Sequence, residues 1–383
     1  MLWPWILGNT AALYGLSLVA SRTLPDRDTG SDEFVEHPEK ASASLSEPFE
    51  ASFGVNISNI YNIDLASSSF YLEGYAWMKW KDKPEWLKEW DQEVYQCPAK
   101  SISFINAVNR HNVEISLEPS NPVEDDDGRM IQWLGFSGTF VANELDLRMF
   151  PFEEITLPLE IELDDFYAGE AKVEYKQSGP ILTTAAAING YNFANASVRS
   201  CTHIYQTNWG YEYSRNYFGR DNYTEFIAFI VSTRFRRNTW NSCLNIFLPL
   251  TIVMAVVLAS PLVAIQDYQT KLAIPASALL VLVFLQESYK KILPPGLNYP
   301  TLADLIYTYS MFITISTFLW SLFRTKAYLA VEAALSGGKS RWAWEGLDNV
   351  YFIANLGFFI VGPWILYKFC KLPLKRAGNQ RSH

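Results

Sequence analysis

The sequence predicts an extracellular all-β sandwich followed by an all-α bundle of four transmembrane helices. Three observations carry this prediction. Residues 49–238 hold 27 acids and 16 bases, whereas residues 239–383 hold 6 acids and 12 bases. Short segments of alternating apolar and polar residues fill the acidic part, as half-buried strands require. Four apolar stretches of about 20 residues fill the basic part, each long enough to cross a bilayer. Opposite charge balance in the two halves fits two domains in different surroundings.

The chain opens on MLWPWILGNTAALYGLSLVAS, residues 1–21. An apolar core ending on Val19-Ala20-Ser21 reads as a signal peptide, with an uncleaved anchor as the other reading. Residues 22–48 are polar, carry prolines and have few large apolar side chains, so a flexible linker is expected. From residue 49 the segments ASFGVNISNIYNIDL, SSFYLEGYAWMKWKD, SISFINAVN, MIQWLGFSGTFVAN, ITLPLEIEL and TEFIAFIVSTRF alternate. Turn clusters such as PSNPVEDDDG divide them, and several short strands over 49–238 predict the sandwich. PEWLKEWDQEV, 84–94, reads as a short helix. Cys97 and Cys201 lie in the acidic half, where export would permit a disulfide. Cys243 and Cys370 sit in apolar segments and read as packed thiols. Cys201-Thr202-His203 has no second Cys/His cluster to complete a metal site, so no metal or other cofactor is expected.

The predicted spans are 244–265, 270–291, 302–323 and 350–369, within a membrane domain 239–370 that a tail, 371–383, follows. With a cleaved signal, four spans leave both termini outside. The inner loops, with Lys271 counted, and the C-terminal end each hold five Lys/Arg, so the positive-inside rule does not choose an orientation. No basic run interleaved with aromatics points to nucleic acid.

The second span is unusually polar for lipid. Thr270, Ala273, Ser277, Leu280, Phe284, Glu287 and Lys291 are spaced 3, 4, 3, 4, 3, 4, which puts all seven on one helical stripe. The stripe is small and polar at one end, apolar in the middle and charged at the other end. Ionisable residues in a span face protein or water. One helix cannot enclose water, so a pore reading needs several copies in a ring. Leu280 and Phe284 would then form an apolar gate, and Glu287 and Lys291 a charged mouth. The other reading is a buried bundle helix whose polar end sits at the interface.

The segment DLRMFPFEEITLPLEIE, residues 146–162, resembles the signature loop of the pentameric ligand-gated ion channels. The resemblance runs from about residue 49 to 370. It includes Trp80-Lys81-Asp82, Arg237 twelve residues before Pro249, Lys271 at the inner start of the pore helix, Leu280 at the gate and Leu293-Pro294 in the following turn. The two cysteines of the animal receptors are absent: Asn143 and Leu157 stand at those positions, as in bacterial members. The resemblance implies a homopentameric ring that passes inorganic ions through a plasma (inner) membrane, with the N-terminal domain outside. It also implies a coupling set of Asp64, Phe150, Pro151, Glu153, Arg237 and Pro294 at the domain junction, with Arg237 paired to Glu153 and Asp64.

Family members bind agonist in a box of aromatic side chains between neighbouring sandwiches. The segment QTNWGYEYSRNYFGRDNYTEF offers Trp209, Tyr211, Tyr213, Tyr217, Phe218 and Tyr223, and aromatic faces suit cationic or flat ligands. Phe166 and Tyr75 fall near two further ligand segments. An amine, another small molecule or protons all remain open as agonist. For the ion, Asp267, Glu287 and the acidic front half favour cations, whereas Thr270 stands where an acid is common and Lys290 and Lys291 oppose. The alternatives are a non-conducting or anion-selective receptor of the same fold, with Pro275 placed to kink the pore helix. A membrane-anchored enzyme is the weakest reading, since no nucleophile motif, metal spacing or phosphate loop appears.

Overall fold

The computed structural model describes residues 33–35, 48–83, 87, 92–109, 112–143, 145–167, 171–177, 179–183, 188, 190–206, 224–334 and 341–380. The signal-peptide reading of 1–21 and most of the aromatic segment read as a ligand site, 207–223, lie outside them. By contacts the described chain divides into two units. One comprises the residues up to Leu145 together with Ile155–Arg236, and the other Asp146–Glu154 with Arg237 onward.

The first unit is built from ten strands among the described residues: β1 (Glu33–Val35), β2 (Phe49–Asp64), β3 (Ser69–Trp80), β4 (Ile102–Phe104), β5 (Glu114–Glu124), β6 (Met130–Val141), β7 (Glu154–Tyr167), β8 (Ala171–Tyr175), β9 (Tyr191–Tyr205) and β10 (Thr224–Arg237). They form two five-stranded sheets, ordered β1-β9-β10-β7-β4 and β5-β6-β3-β2-β8. Period-2 patterning places the core. On β3, Phe70, Leu72, Ala76, Met78 and Trp80 are buried, while Tyr71, Glu73, Tyr75 and Lys79 point away from that core. Aromatic rings join the sheets face to face: Phe53 stacks on Phe229 at 4.4 Å, and Phe104 meets Phe136 at 4.6 Å. Such pairs add about 1 kcal/mol each beyond their buried area.

Three residues of the stretch expected to be a linker form β1, antiparallel to β9. Strand pairing needs only backbone groups at an open edge, which composition does not reveal. The short helix expected over 84–94 is seen as α1 (Gln92–Gln96). Cys97 and Cys201 are buried and form no disulfide among the described residues.

The second unit holds four helices long and apolar enough to cross a membrane. The first, α2 (Thr239–Leu262), starts where the Asn238 side chain accepts a bond from Trp240 N. It winds as a π-helix over Cys243–Phe247, ahead of Pro249. The Tyr307 hydroxyl donates to the Ile246 carbonyl in that segment at 2.9 Å. α3 (Tyr268–Lys290) runs without interruption through Pro275, whose side chain is on the buried face. α4 (Leu302–Ala334) and α5 (Arg341–Gln380) both outlast the apolar runs that predicted them. Apolar length limits only the part that can sit in lipid. RTKAYLAVEAA, after Phe323, is rich in helix formers and carries α4 on. Inside the bundle, Ser310, Thr314, Thr317 and Thr325 of α4 are buried, each returning its hydroxyl to the carbonyl four residues back. Small hydroxyl residues of this kind let helices approach closely.

Candidate functional site

The stripe read from the sequence lies within the face that α3 leaves uncovered, which also includes Ala276, Val281 and Val283. Thr270, Ala273, Ser277, Leu280, Phe284, Glu287 and Lys291 are all exposed on the single chain. The apolar residues Leu280 and Phe284 are 60% and 66% exposed. Lys271, Pro275, Ala278, Leu282 and Tyr289 make a second, buried line on the same helix. The two faces differ because α2 and α4 pack on one side of α3 only. Ser277 donates to the Ile274 carbonyl at 3.0 Å, a bond within its own helix that leaves the outer surface open.

Lys271, counted with the inner-loop cations in the sequence, is fully buried. Its ammonium donates to Asp348 Oδ2 at 2.8 Å and to the Pro261 and Val263 carbonyls at 2.8 and 3.3 Å. A buried ammonium needs partners for its donors, and these lie behind the helix.

Asp146–Glu154 belongs to the helical unit. The Phe150–Pro151 bond is cis, and both residues are buried. Phe150 faces Tyr289 of α3 at 6.3 Å, and Phe152 stacks on Phe247 of α2 at 5.8 Å. Two carbonyls of the loop, Arg148 O and Phe150 O, accept from Leu302 N and Ala303 N at the start of α4. The loop thereby satisfies helix N–H groups that have no partner in their own helix. Arg237 Nε lies 3.2 Å from Glu153 Oε1, and the guanidinium sits over the Phe150 ring at 5.2 Å. Glu153 is fully buried, so Arg237 supplies a charge it needs. Asp64, the other expected partner, belongs to the β unit. It accepts from Ser67 Oγ at 2.7 Å and from Ala66 N at 2.9 Å. The Ser67 hydroxyl, helped by backbone N–H groups, holds its carboxyl below the ordinary value. Pro294 follows buried Leu293 in the turn after α3. Gly296 takes φ +82° in that turn, a conformation glycine adopts without penalty.

The ligand residues divide. Tyr75 is 43% exposed and lines an open groove of about 590 Å³ on the outer face of β2, β3, β5 and β6. Glu73, Glu114, Ser116 and Ser137 share it. Gly135 opposes Tyr75 across the β3–β6 pairing. A Cβ there would come within 2.7 Å of Ser116 Oγ and 3.3 Å of the Tyr75 ring, so glycine lets that ring lie close to β6. Glu73 accepts from Tyr61 Oη at 2.6 Å and from Asn59 Nδ2 at 3.0 Å, and these two bonds hold its carboxyl below the ordinary value. Phe166 stands elsewhere. It is fully buried and stacked on Phe49 at 4.9 Å, a core position with no surface for a ligand to reach. Its place near the end of an alternating strand did not say on which face it falls. Trp209, Tyr211, Tyr213, Tyr217, Phe218 and Tyr223 lie outside the described residues.

His203 of the Cys-Thr-His segment bonds Glu162 at 2.5 Å, and the Tyr205 hydroxyl donates to the same carboxylate at 3.1 Å. Among the described residues no group of three or more His, Cys, Asp and Glu is placed to hold a metal. The groove acids Glu73 and Glu114 and the buried partners of Lys271 were missed from the sequence. Asp348 did carry a signal, as one of six acids after residue 238, at the edge of an apolar run.

Fold and site define a class: a β-sheet domain of two sheets joined to four membrane-length helices, one of which presents a polar-ended stripe. A scan against protein-family models matches none, and a search of curated proteins finds no similar sequence.

Proposed function

We propose that the chain is a subunit of a homopentameric ligand-gated ion channel in a plasma (inner) membrane, with its β domain outside. One observation carries the reading. All seven residues of the second-span stripe are exposed on a membrane-length helix whose opposite line is buried. Thr270, Ser277 and Glu287 on a lipid-facing stripe would be costly. A ring of copies puts them in water instead, with Leu280 and Phe284 as the constriction that closes by dewetting. The burial of Lys271 supports cation passage, because its charge is turned away from that path. Asp267, exposed just before α3, and Glu287 remain beside it. The groove beside Tyr75, with two carboxylates and a phenol ring, favours an organic cation as agonist.

The test is current through reconstituted protein under a salt gradient, with organic amines and pH steps applied in turn. Leu280→Ser is expected to leak at rest, because a hydroxyl wets the constriction. No current under any agonist or pH, together with a silent Leu280→Ser, would reject the channel. The reading as a non-conducting receptor rested on the missing acid at Thr270 and on Pro275, through which α3 stays helical.

A further inference from the structure

At the inner end of the bundle, one buried cluster joins all four helices. Lys271 comes from α3, Trp320 and Arg324 from α4 and Asp348 from α5, while Pro261 and Val263 end α2. Asp348 is the only carboxylate among them. Its Oδ2 takes Lys271 at 2.8 Å, and its Oδ1 takes Arg324 Nε at 3.0 Å and Trp320 Nε1 at 3.2 Å. Trp320 lies flat on Tyr351 of α5 at 4.5 Å. Lys271, Arg324 and Asp348 are 0%, 5% and 6% exposed.

The end of the first helix adds to Asp348 as a partner of Lys271. Its last carbonyls have no helical donors and carry the negative end of its dipole. Lys271 takes two of them, so its three N–H donors are matched to one carboxylate oxygen and two carbonyls. Every bond pulls Lys271 away from the exposed stripe, although Thr270 beside it is the innermost residue of that stripe.

We propose that Lys271 is a positioning residue. It ties the inner end of α3 to Asp348, so that α5 sets where the Thr270 end of the stripe stands. That this end is part of a pore rests on the function proposed above. The tie itself does not.

The experiment separates the two. A spin label is placed at Thr270→Cys or, as a control, at Glu287→Cys. The background is full-length chain in vesicles with Cys97, Cys201, Cys243 and Cys370 changed to serine. K271M removes the tie but leaves the contact between Arg324 and Asp348. The expected result is a more mobile label at 270, an unchanged label at 287, and wild-type spectra for K271R. In currents, K271M is expected to change the resting open fraction by about fivefold or more, with the reversal potential unmoved. An unchanged label at 270, or equal loosening at 270 and 287, overturns the tie. A reversal potential shifted towards cations overturns it too, because Lys271 would then line the pore. A local change at 270 with no current in any variant keeps the tie and rejects the channel. If K271M is not recovered folded, D348E is read the same way: a change confined to 270 supports the tie, and none overturns it.

Discussion

Glu73 is held by two neighbours, the Tyr61 hydroxyl and the Asn59 amide. Hydrogen bonds to the ionised form lower a carboxyl pKa. Its contribution to stability is therefore present above the unfolded value and is lost as pH falls through the lower folded value. Tyr61→Phe is expected to move Glu73 up towards the ordinary value of about 4.3, measurable by carbon NMR of labelled glutamate. Arg237 makes a different kind of prediction, because its partner Glu153 is fully buried. Arg237→Met leaves that carboxyl without its cation and is expected to cost about 3 kcal/mol in unfolding of the detergent-solubilised protein. Equal stability of mutant and wild type would contradict this. Arg237 and Glu153 were marked by the resemblance of the Phe-Pro-Phe segment and the residues before the first span to the channel family. The sequence did not mark Glu73, which is one glutamate among many until β3 pairing sets it beside Asn59 and Tyr61.

Among elements, α3 was the most legible. A 3–4 spacing assigns residues to a helix face without any tertiary information. Which face is covered is a separate matter, decided by neighbours. Cysteine substitution along α3, probed with a charged thiol reagent in vesicles, is expected to label Thr270, Ser277 and Glu287 readily and Ala278 and Leu282 slowly. Uniform labelling along the helix would remove the distinction between the two faces. The strands were less legible at their ends. Alternation found β2, β3, β4, β6, β7 and β10. The three-residue β1 has too few residues to show a period, and it exists through backbone pairing with β9. Helix lengths were underestimated for α4 and α5, because apolar content stops at the edge of the lipid-compatible run while helix propensity does not.

For the molecule as a whole, one unit of the described residues holds the sheets and the other the four membrane-length helices. Asp146–Glu154 belongs with the helices although both of its flanks are in the β domain. Assembly is the property that decides the function. A single chain leaves the polar-ended stripe uncovered, and a ring of copies would enclose it. The intact protein in mild detergent is expected to have a mass of five 43.7 kDa chains plus bound detergent, measured by native mass spectrometry or light scattering. A monomer at every concentration would leave Thr270, Ser277 and Glu287 facing detergent and would contradict the ring.

By itself the sequence determined that a β domain precedes four membrane-length helices, and that the second helix carries an ordered polar stripe. Both follow from periodicity and composition, which are local properties of the chain. Tertiary structure decided what each polar group faces. It gave Lys271, the basic residue at the start of the second span, a buried partner in Asp348, 77 positions along the chain. It moved Phe166 from a ligand surface into the core against Phe49. The cost of a buried charge or the reach of an aromatic ring depends on what packs around it. Those neighbours come from distant segments that no local pattern brings together.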